Sequence, residues 1–256
     1  MKKRLILTGM CLLLLPVLVF SDTITFKVGY FIPRAQSDLW DIEFENMDFD
    51  KNDFFGTNFG FTYEYFLSRE LSIALSIDGY SRKKVGIYEG FVGISFFEGD
   101  FAFPDDFEGD FLISHVFDVS ITPFQLSLKL APMGRKGRFI PYVGGGVGIY
   151  LWNVRLQGDI INFDDVWEYY EDGDFIVDIY PVEGRDIREE NKIKVGFHAL
   201  GGIMFPVANR ISVEAEFKFN LAEGKFSEDN PYWGFFGFEP FDLSGYQLTI
   251  GLNYWF

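Results

Sequence analysis

Residues 244–256 read Ser-Gly-Tyr-Gln-Leu-Thr-Ile-Gly-Leu-Asn-Tyr-Trp-Phe. Every second residue from Tyr246 is apolar: Tyr246, Leu248, Ile250, Leu252, Tyr254 and Phe256. Between them stand Gln247, Thr249, Gly251, Asn253 and Trp255. Such alternation puts the two sets on opposite faces of one strand. The run is long enough to cross a bilayer at a tilt, which takes about 9–11 residues.

Working backward, the same pattern recurs. Ile211, Val213, Ala215, Phe217, Phe219 and Leu221 oppose Ser212, Glu214, Glu216, Lys218 and Asn220. The tight link Ala208-Asn209 joins that run to Ile193, Val195, Phe197, Ala199, Ile203 and Phe205, which oppose Lys194, Gly196, His198 and Gly202. Further back come Phe139–Val154, His115–Ala131, a run from Leu71, Gly56–Leu67 and Ile24–Ile32. Ser68-Arg69-Glu70 makes a hairpin of two of them, and Pro132–Arg138 is another short link. Four long connections remain, at about 34–55, 83–114, 156–191 and 222–243. Eight runs with links alternating long and short predict an antiparallel up-and-down barrel, whose even count removes the sheet edges.

Within His115–Ala131 the apolar parity changes: Phe117, Val119 and Ile121 are odd, Leu126, Leu128 and Leu130 even. Pro123 cannot donate to a ladder, so a bulge is expected there. Gly144, Gly145, Gly146 and Gly148 thin one face of the next run, as a narrow barrel requires.

The order Thr249, Gly251, Tyr254, Phe256 resembles the terminal signal strand of bacterial outer-membrane β-barrels. The whole layout, including Pro141-Tyr142-Val143-Gly144 through Gly148, resembles the small eight-stranded OmpA/OmpW-like family. The resemblance implies an all-β, eight-stranded transmembrane barrel in the outer membrane. Its partners would be outer-membrane lipids, lipopolysaccharide and the barrel-assembly machinery that reads the terminal strand.

Residues 1–21 read as a cleaved secretory signal: Lys2, Lys3 and Arg4, then an apolar run to Phe20 interrupted by Pro16, with Val19 and Ser21 placed for a peptidase. The barrel would then occupy 22–256. Cys11 is the sole cysteine, so the mature chain has no disulfide, thiolate ligand or cysteine nucleophile. Removing the three basic residues of the signal takes the net charge from −16 to −19, a field hostile to nucleic acid. Aromatic residues make up 20 %, yet no second apolar run is long enough for a spanning helix.

Alternation alone does not say which face meets lipid, since a lipocalin-like soluble barrel alternates too. The polar face carries both signs, at Lys27, Glu64, Asp78, Asp118, Lys129, Lys194, Glu214, Glu216 and Lys218, while the apolar face is nearly free of charge. That contrast suits apolar side chains facing lipid and an ion-paired lumen that also takes His198. An eight-stranded barrel is just wide enough for side chains to fill, so those pairs are expected to plug it.

The four long connections hold 31 of the 38 acidic residues against seven Lys or Arg, so one rim is strongly acidic. It is a self-repelling solvated surface that offers divalent cations an attraction. Asp48-x-Asp50-x-Asn52 starts like a calcium loop, but Asp53 stands where the glycine belongs and Phe59 where the bidentate glutamate belongs. Phe97–Phe101 recurs identically as Phe107–Phe111, with a near copy at Glu171–Phe175, and each predicts a Gly-Asp turn. Ser114-His115 and His198 form no pattern known from barrel hydrolases, and nothing asks for a catalytic residue or cofactor. The function classes are a non-enzymatic outer-membrane protein, structural or aiding passage of small apolar molecules; a surface adhesion module using the acidic aromatic loops; and, last, a lipid-modifying enzyme.

Overall fold

The computed structural model describes residues 23–135, 137–227 and 235–256; the expected signal, 1–21, lies outside them. Strands β1 (Thr23–Pro33), β2 (Gly56–Phe66) and β3 (Leu71–Ile87) come first. A hairpin follows, β4 (Phe91–Phe96) and β5 (Gly99–Pro104), then β6 (Ser114–Leu130) and β7 (Ile140–Ile161). Next are β8 (Trp167–Glu171), β9 (Asp174–Ala208), β10 (Ile211–Leu221), the two-residue pair β11 (Glu223–Gly224) and β12 (Phe241–Asp242), and β13 (Gly245–Trp255). A helix α1 (Asp38–Asn46) and a 3₁₀ turn, Lys51–Phe54, lie between β1 and β2.

Eight antiparallel strands close a cylinder in the order β1-β2-β3-β6-β7-β9-β10-β13, and β13 returns to β1 from Thr23↔Trp255 to Pro33↔Gly245. Closure leaves the wall of the cylinder no open sheet edge, the condition for standing in hydrocarbon. On β13 the apolar set points out, with Leu248 53 % and Ile250 63 % exposed, while Gln247, Thr249 and Asn253 are buried. Phe26, Val28, Phe59, Leu75, Leu126, Leu128, Val147, Ile149, Val195 and Phe197 continue the exposed band around the cylinder. An apolar girdle of this extent has no counterpart on soluble monomers, so lipid is its solvent. This is the architecture of a bacterial outer-membrane barrel; among the described residues no helix is long and apolar enough to cross a membrane.

The wall is taller than the sequence suggests. Strands β1, β2, β10 and β13 have 11 residues each, whereas β3 and β6 have 17, β7 has 22 and β9 has 35. The expected loops 83–114 and 156–191 are thus largely strand. They carry the sheet above the membrane, where β4–β5 and β8 also join β9.

No bulge forms at Pro123. The pairing Ile121↔Trp152 through Phe124↔Ile149 runs without a shift, as does β3–β6 on either side of it. Odd residues of β6 face inward throughout, from His115 to Lys129. What changes is the chemistry of the two sides: below Pro123 the lumen is polar and the outside oily, and above it the inside is apolar. Register shifts lie instead on β7–β9, between Trp152 and Val154, and on β9–β10, between Ile211 and Ser212.

Of the repeated segments, the first and third are hairpin turns. Phe97-Glu98 turns into Gly99 at φ 144, and Asp172-Gly173 has φ 52 and 93, the positive pair of a tight hairpin. The second, Phe107–Phe111, is no hairpin: it runs irregularly past Gly93, with which Phe111 forms an isolated bridge.

Candidate functional site: a two-layered lumen

The lower layer is ionic. Glu216 on β10 accepts from Lys27 Nζ at 2.7 Å and from Tyr142 Oη at 3.0 Å, with Lys129 Nζ at 3.3 Å. Lys27 also lies 3.6 Å from Glu214, and Lys129 3.5 Å from Glu64 and over the Tyr142 ring. Lys218 donates to Asp78 at 2.7 Å and to Gln125 at 2.8 Å, and Gln125 donates to Tyr150 and Asn220. Strand alternation aims these long side chains at one axis, and burial leaves each charge dependent on its partners.

Two residues placed in this set by sequence do not join it. Asp118 is on the outward face, since Phe117 and Val119 on either side are buried inside; it stands between Lys83 and Arg155 above the apolar band. The cause is the inversion of the wall near Pro123, which gives the inner side of upper β6 to apolar residues. Lys194 is exposed; the ring of its register partner Tyr150 lies across the inner surface of β9 at Gly196 instead. One member went unseen. Arg135, from the short link after β6, reaches in to Glu64 at 2.9 Å and to Ser72, and lies over the Phe66 ring. It completes the neutrality of the layer, with Lys27, Lys129, Lys218 and Arg135 against Glu64, Asp78, Glu214 and Glu216. Only the basic character of the link hinted at it.

The upper layer is aromatic, and it is built by the first long connection. Acidic composition hid the apolar face of α1: Leu39 and Trp40 are buried in the mouth of the barrel. Trp40 packs on Phe44, Phe54, Phe117 and Phe241 with ring centroids 5.0–5.4 Å apart. Trp152 stacks on Phe241 and meets Phe226 edge-on, so the last connection contributes too. Asp242 ties the two connections together: it accepts from Arg34 at 2.9 and 3.2 Å, while its carbonyl accepts from Trp40 Nε1. Glu43 on α1 meets His115 Nε2 at 2.8 Å under Tyr88. Between the layers remains a cavity of about 10 Å³, bounded by Phe31, Tyr80, Tyr150 and Asn220 among others, about the room for one water.

The remaining candidates resolve into structural roles. Asp50 caps the 3₁₀ turn, accepting from the Asn52 and Asp53 amides while Asp53 reciprocates, so the calcium-like spacing is a capping box. Asp53 also accepts from Lys84 at 2.5 Å, which holds its carboxyl below the usual range. His198 Nε2 sits 2.7 Å from Ser127 Oγ, a serine–histidine pair, but Nδ1 has no hydrogen-bond partner among the described residues and the pair is enclosed in the lumen. Among the described residues no three His, Cys, Asp or Glu side chains converge to hold a metal ion. Of the terminal-strand residues, Thr249 and Gly251 face the lumen, and Tyr254 and Phe256 face out.

No family model and no curated protein matches this chain. Among solved structures it is similar to the outer membrane protein OprG from Pseudomonas aeruginosa, with 13 % identity, a TM-score of 0.48, and 92 % of this chain and 96 % of that one covered. Neisserial surface protein A shows 12 % identity and a TM-score of 0.46 over 91 % and 96 % of the two chains. Ail of Yersinia pestis, in complex with the heparin analogue sucrose octasulfate, shows 11 % and 0.40 over 92 % and 98 %.

Proposed function

We propose that this chain is a non-enzymatic outer-membrane barrel whose membrane part is a sealed anchor and whose tall extracellular sheet is a recognition surface. The observation that carries the reading is the filled lumen. Ion pairs occupy the lower half, and α1 with its aromatic companions occupies the mouth. Outer-membrane lipid, lipopolysaccharide included, would surround the girdle, and the assembly machinery would read β13 on the way in. The acidic rim would gather divalent cations diffusely.

The test has two arms. In planar bilayers the refolded protein gives no stable openings; large, stable conductance refutes the sealed anchor. Shortening the β8–β9 hairpin to a two-residue turn abolishes attachment of expressing cells to a host-surface extract while the barrel still assembles; unchanged attachment refutes the recognition role.

A second reading, passage of small apolar molecules, is favoured by one observation. The inner wall above Pro123 is apolar, with Phe117, Val119, Ile121, Val154 and Leu156 all buried there. It requires α1 to leave. A cysteine cross-link between α1 and β6 that stops uptake of an apolar dye into proteoliposomes would establish it. Uptake insensitive to the cross-link, or no uptake at all, dismisses it.

A further inference from the structure

The two hairpins above the membrane form a small sandwich of their own. Phe101 and Phe103 from β5 pack against Trp167 and Tyr169 from β8, with centroids 5.1 and 5.2 Å apart. That consumes one face of β8–β9. The other face holds Glu168 and Tyr170, with Val166 just ahead of the strand; Asp178 lies across from Glu168, Phe175 across from Tyr170, and Ile176 is the extra residue at the register shift between them. The face mixes apolar and acidic residues and is open: Val166 and Tyr170 are each more than half exposed, and Glu168 and Asp178 are exposed beside them. Val166, Trp167, Glu168, Tyr170 and Asp178 line an open groove of about 670 Å³.

Glu168 and Asp178 are direct register partners, two carboxylates facing each other across the strand pair. Like charges so placed destabilise a sheet. The Tyr170 hydroxyl donates to Glu168 at 2.5 Å, but Asp178 makes no side-chain hydrogen bond or ion pair among the described residues. Nor is a cation near in sequence: segments 91–114 and 162–184 contain 14 Asp or Glu and no Lys or Arg. Finally, β8 pairs only with β9, so its other backbone edge is unpaired among the described residues. An extended chain adds to such an edge by main-chain hydrogen bonds.

Resting on the recognition reading above, we propose that this face binds an extended, arginine-bearing segment of a partner polypeptide. The segment lies along β8. One guanidinium sits between Glu168 and Asp178 and stacks on Tyr170, and apolar neighbours cover Val166 and Ile176. Arginine suits the place better than lysine because its planar fork meets carboxylates bidentately and its face stacks on a phenol ring. The partner's cation removes the repulsion that the hairpin leaves unrelieved.

The experiment uses the full barrel in phosphatidylcholine nanodiscs and a fluorescein-labelled octapeptide alternating Arg and Val, followed by anisotropy at 150 mM salt. Wild type is expected to bind it, and to bind an alternating Lys–Val peptide more weakly. E168Q/D178N is expected to weaken binding about tenfold or more. D105N/D106N, the same charge change on an exposed turn elsewhere in the sandwich, is expected to change it less than about threefold. Y170S, which alters no charge, is expected to weaken it severalfold. Heat-modifiable gel mobility confirms that each variant is folded. Equal losses for the two double variants would mean a diffuse acidic field and overturn the proposal, as would no binding by wild type. Either failure leaves the attachment assay of the shortened hairpin to stand or fall separately.

Discussion

Glu216 is the point where the lower lumen is most vulnerable. Its carboxylate serves Lys27 at 2.7 Å, Lys129 at 3.3 Å and the Tyr142 hydroxyl at 3.0 Å. With an effective dielectric of about 20, each of the two charge contacts is worth roughly 5–6 kcal/mol before desolvation, which takes back several kcal/mol per ion. Glu216→Gln keeps the volume and removes the charge. Lys27 is left with Glu214 at 3.6 Å and Lys129 with Glu64 at 3.5 Å, so four cations then face three carboxylates. Breaking one side of a buried pair costs about 3–5 kcal/mol. Glu214 and Glu64 still stand beside the two lysines, so the expected loss is at the lower end, about 3 kcal/mol.

The control is the double variant Lys27→Met/Glu216→Leu. It removes one charge of each sign and refills the space with apolar atoms, so its cost is expected to be smaller than that of either single change. Urea unfolding in fluid lipid vesicles, followed by tryptophan fluorescence in both directions, measures Glu216→Gln and the four corners of the cycle: wild type, Lys27→Met, Glu216→Leu and the double variant. A loss under about 1 kcal/mol for Glu216→Gln would refute the reasoning. So would a double variant as unstable as the two singles added together.

Gly146 is expected to tolerate no side chain, because a Cβ there would run into the Leu126 carbonyl of β6. Gly146→Val should block assembly, seen as loss of heat-modifiable mobility, while Gly184→Ala, with nothing within 4 Å of the added carbon, should assemble normally. Removing Phe256, which faces out and is 61 % exposed, should lower the amount assembled in cells without preventing refolding in detergent. Equal defects in both settings would make it a packing residue and not an assembly signal. Asp53, hydrogen-bonded to Lys84, should titrate below the usual carboxylate value. Its stabilisation of the first connection is therefore present above the unfolded value and lost as pH falls through the lower folded one. Carboxyl-detected NMR should show the midpoint rising in Lys84→Gln; an ordinary midpoint in wild type would mean the pair is not formed in solution.

The membrane half was readable because lipid outside and charge inside impose one contrast on every strand. Residues 246–256 carry it, and Lys27, Glu64, Asp78, Lys129, Glu214, Glu216 and Lys218 all lie where alternation puts them. Above Pro123 that contrast inverts, and a parity rule tuned to the membrane mistakes inversion for a bulge. The same inversion turned Asp118 outward and made upper β3, β7 and β9 read as loop. Residues 34–55 were opaque for a different reason. Their seven acidic residues mask a helix whose buried positions, Leu39, Trp40 and Glu43, span barely a turn and a half. Arg135 could not be placed because its partner Glu64 is 71 residues away and nothing local marks the pairing.

The inversion of the wall and the aromatic plug are one feature seen from two sides. An apolar inner surface at Phe117, Val119, Trp152 and Val154 is unstable against water and needs an apolar filling. The chain supplies it from Trp40, Phe54, Phe226 and Phe241, which explains why aromatic residues reach 20 % although the girdle alone needs far fewer. Each half is pointless without the other. Trp40→Ala should therefore cost about 3–5 kcal/mol, as a cavity in a packed core does. The same change combined with Phe117→Ser and Val119→Ser, which give the wall a polar lining, should cost less than the three changes summed, because a wet mouth has no cavity to keep dry. Additive costs in that comparison would separate plug from wall, and the upper half would have to be explained by its strands alone.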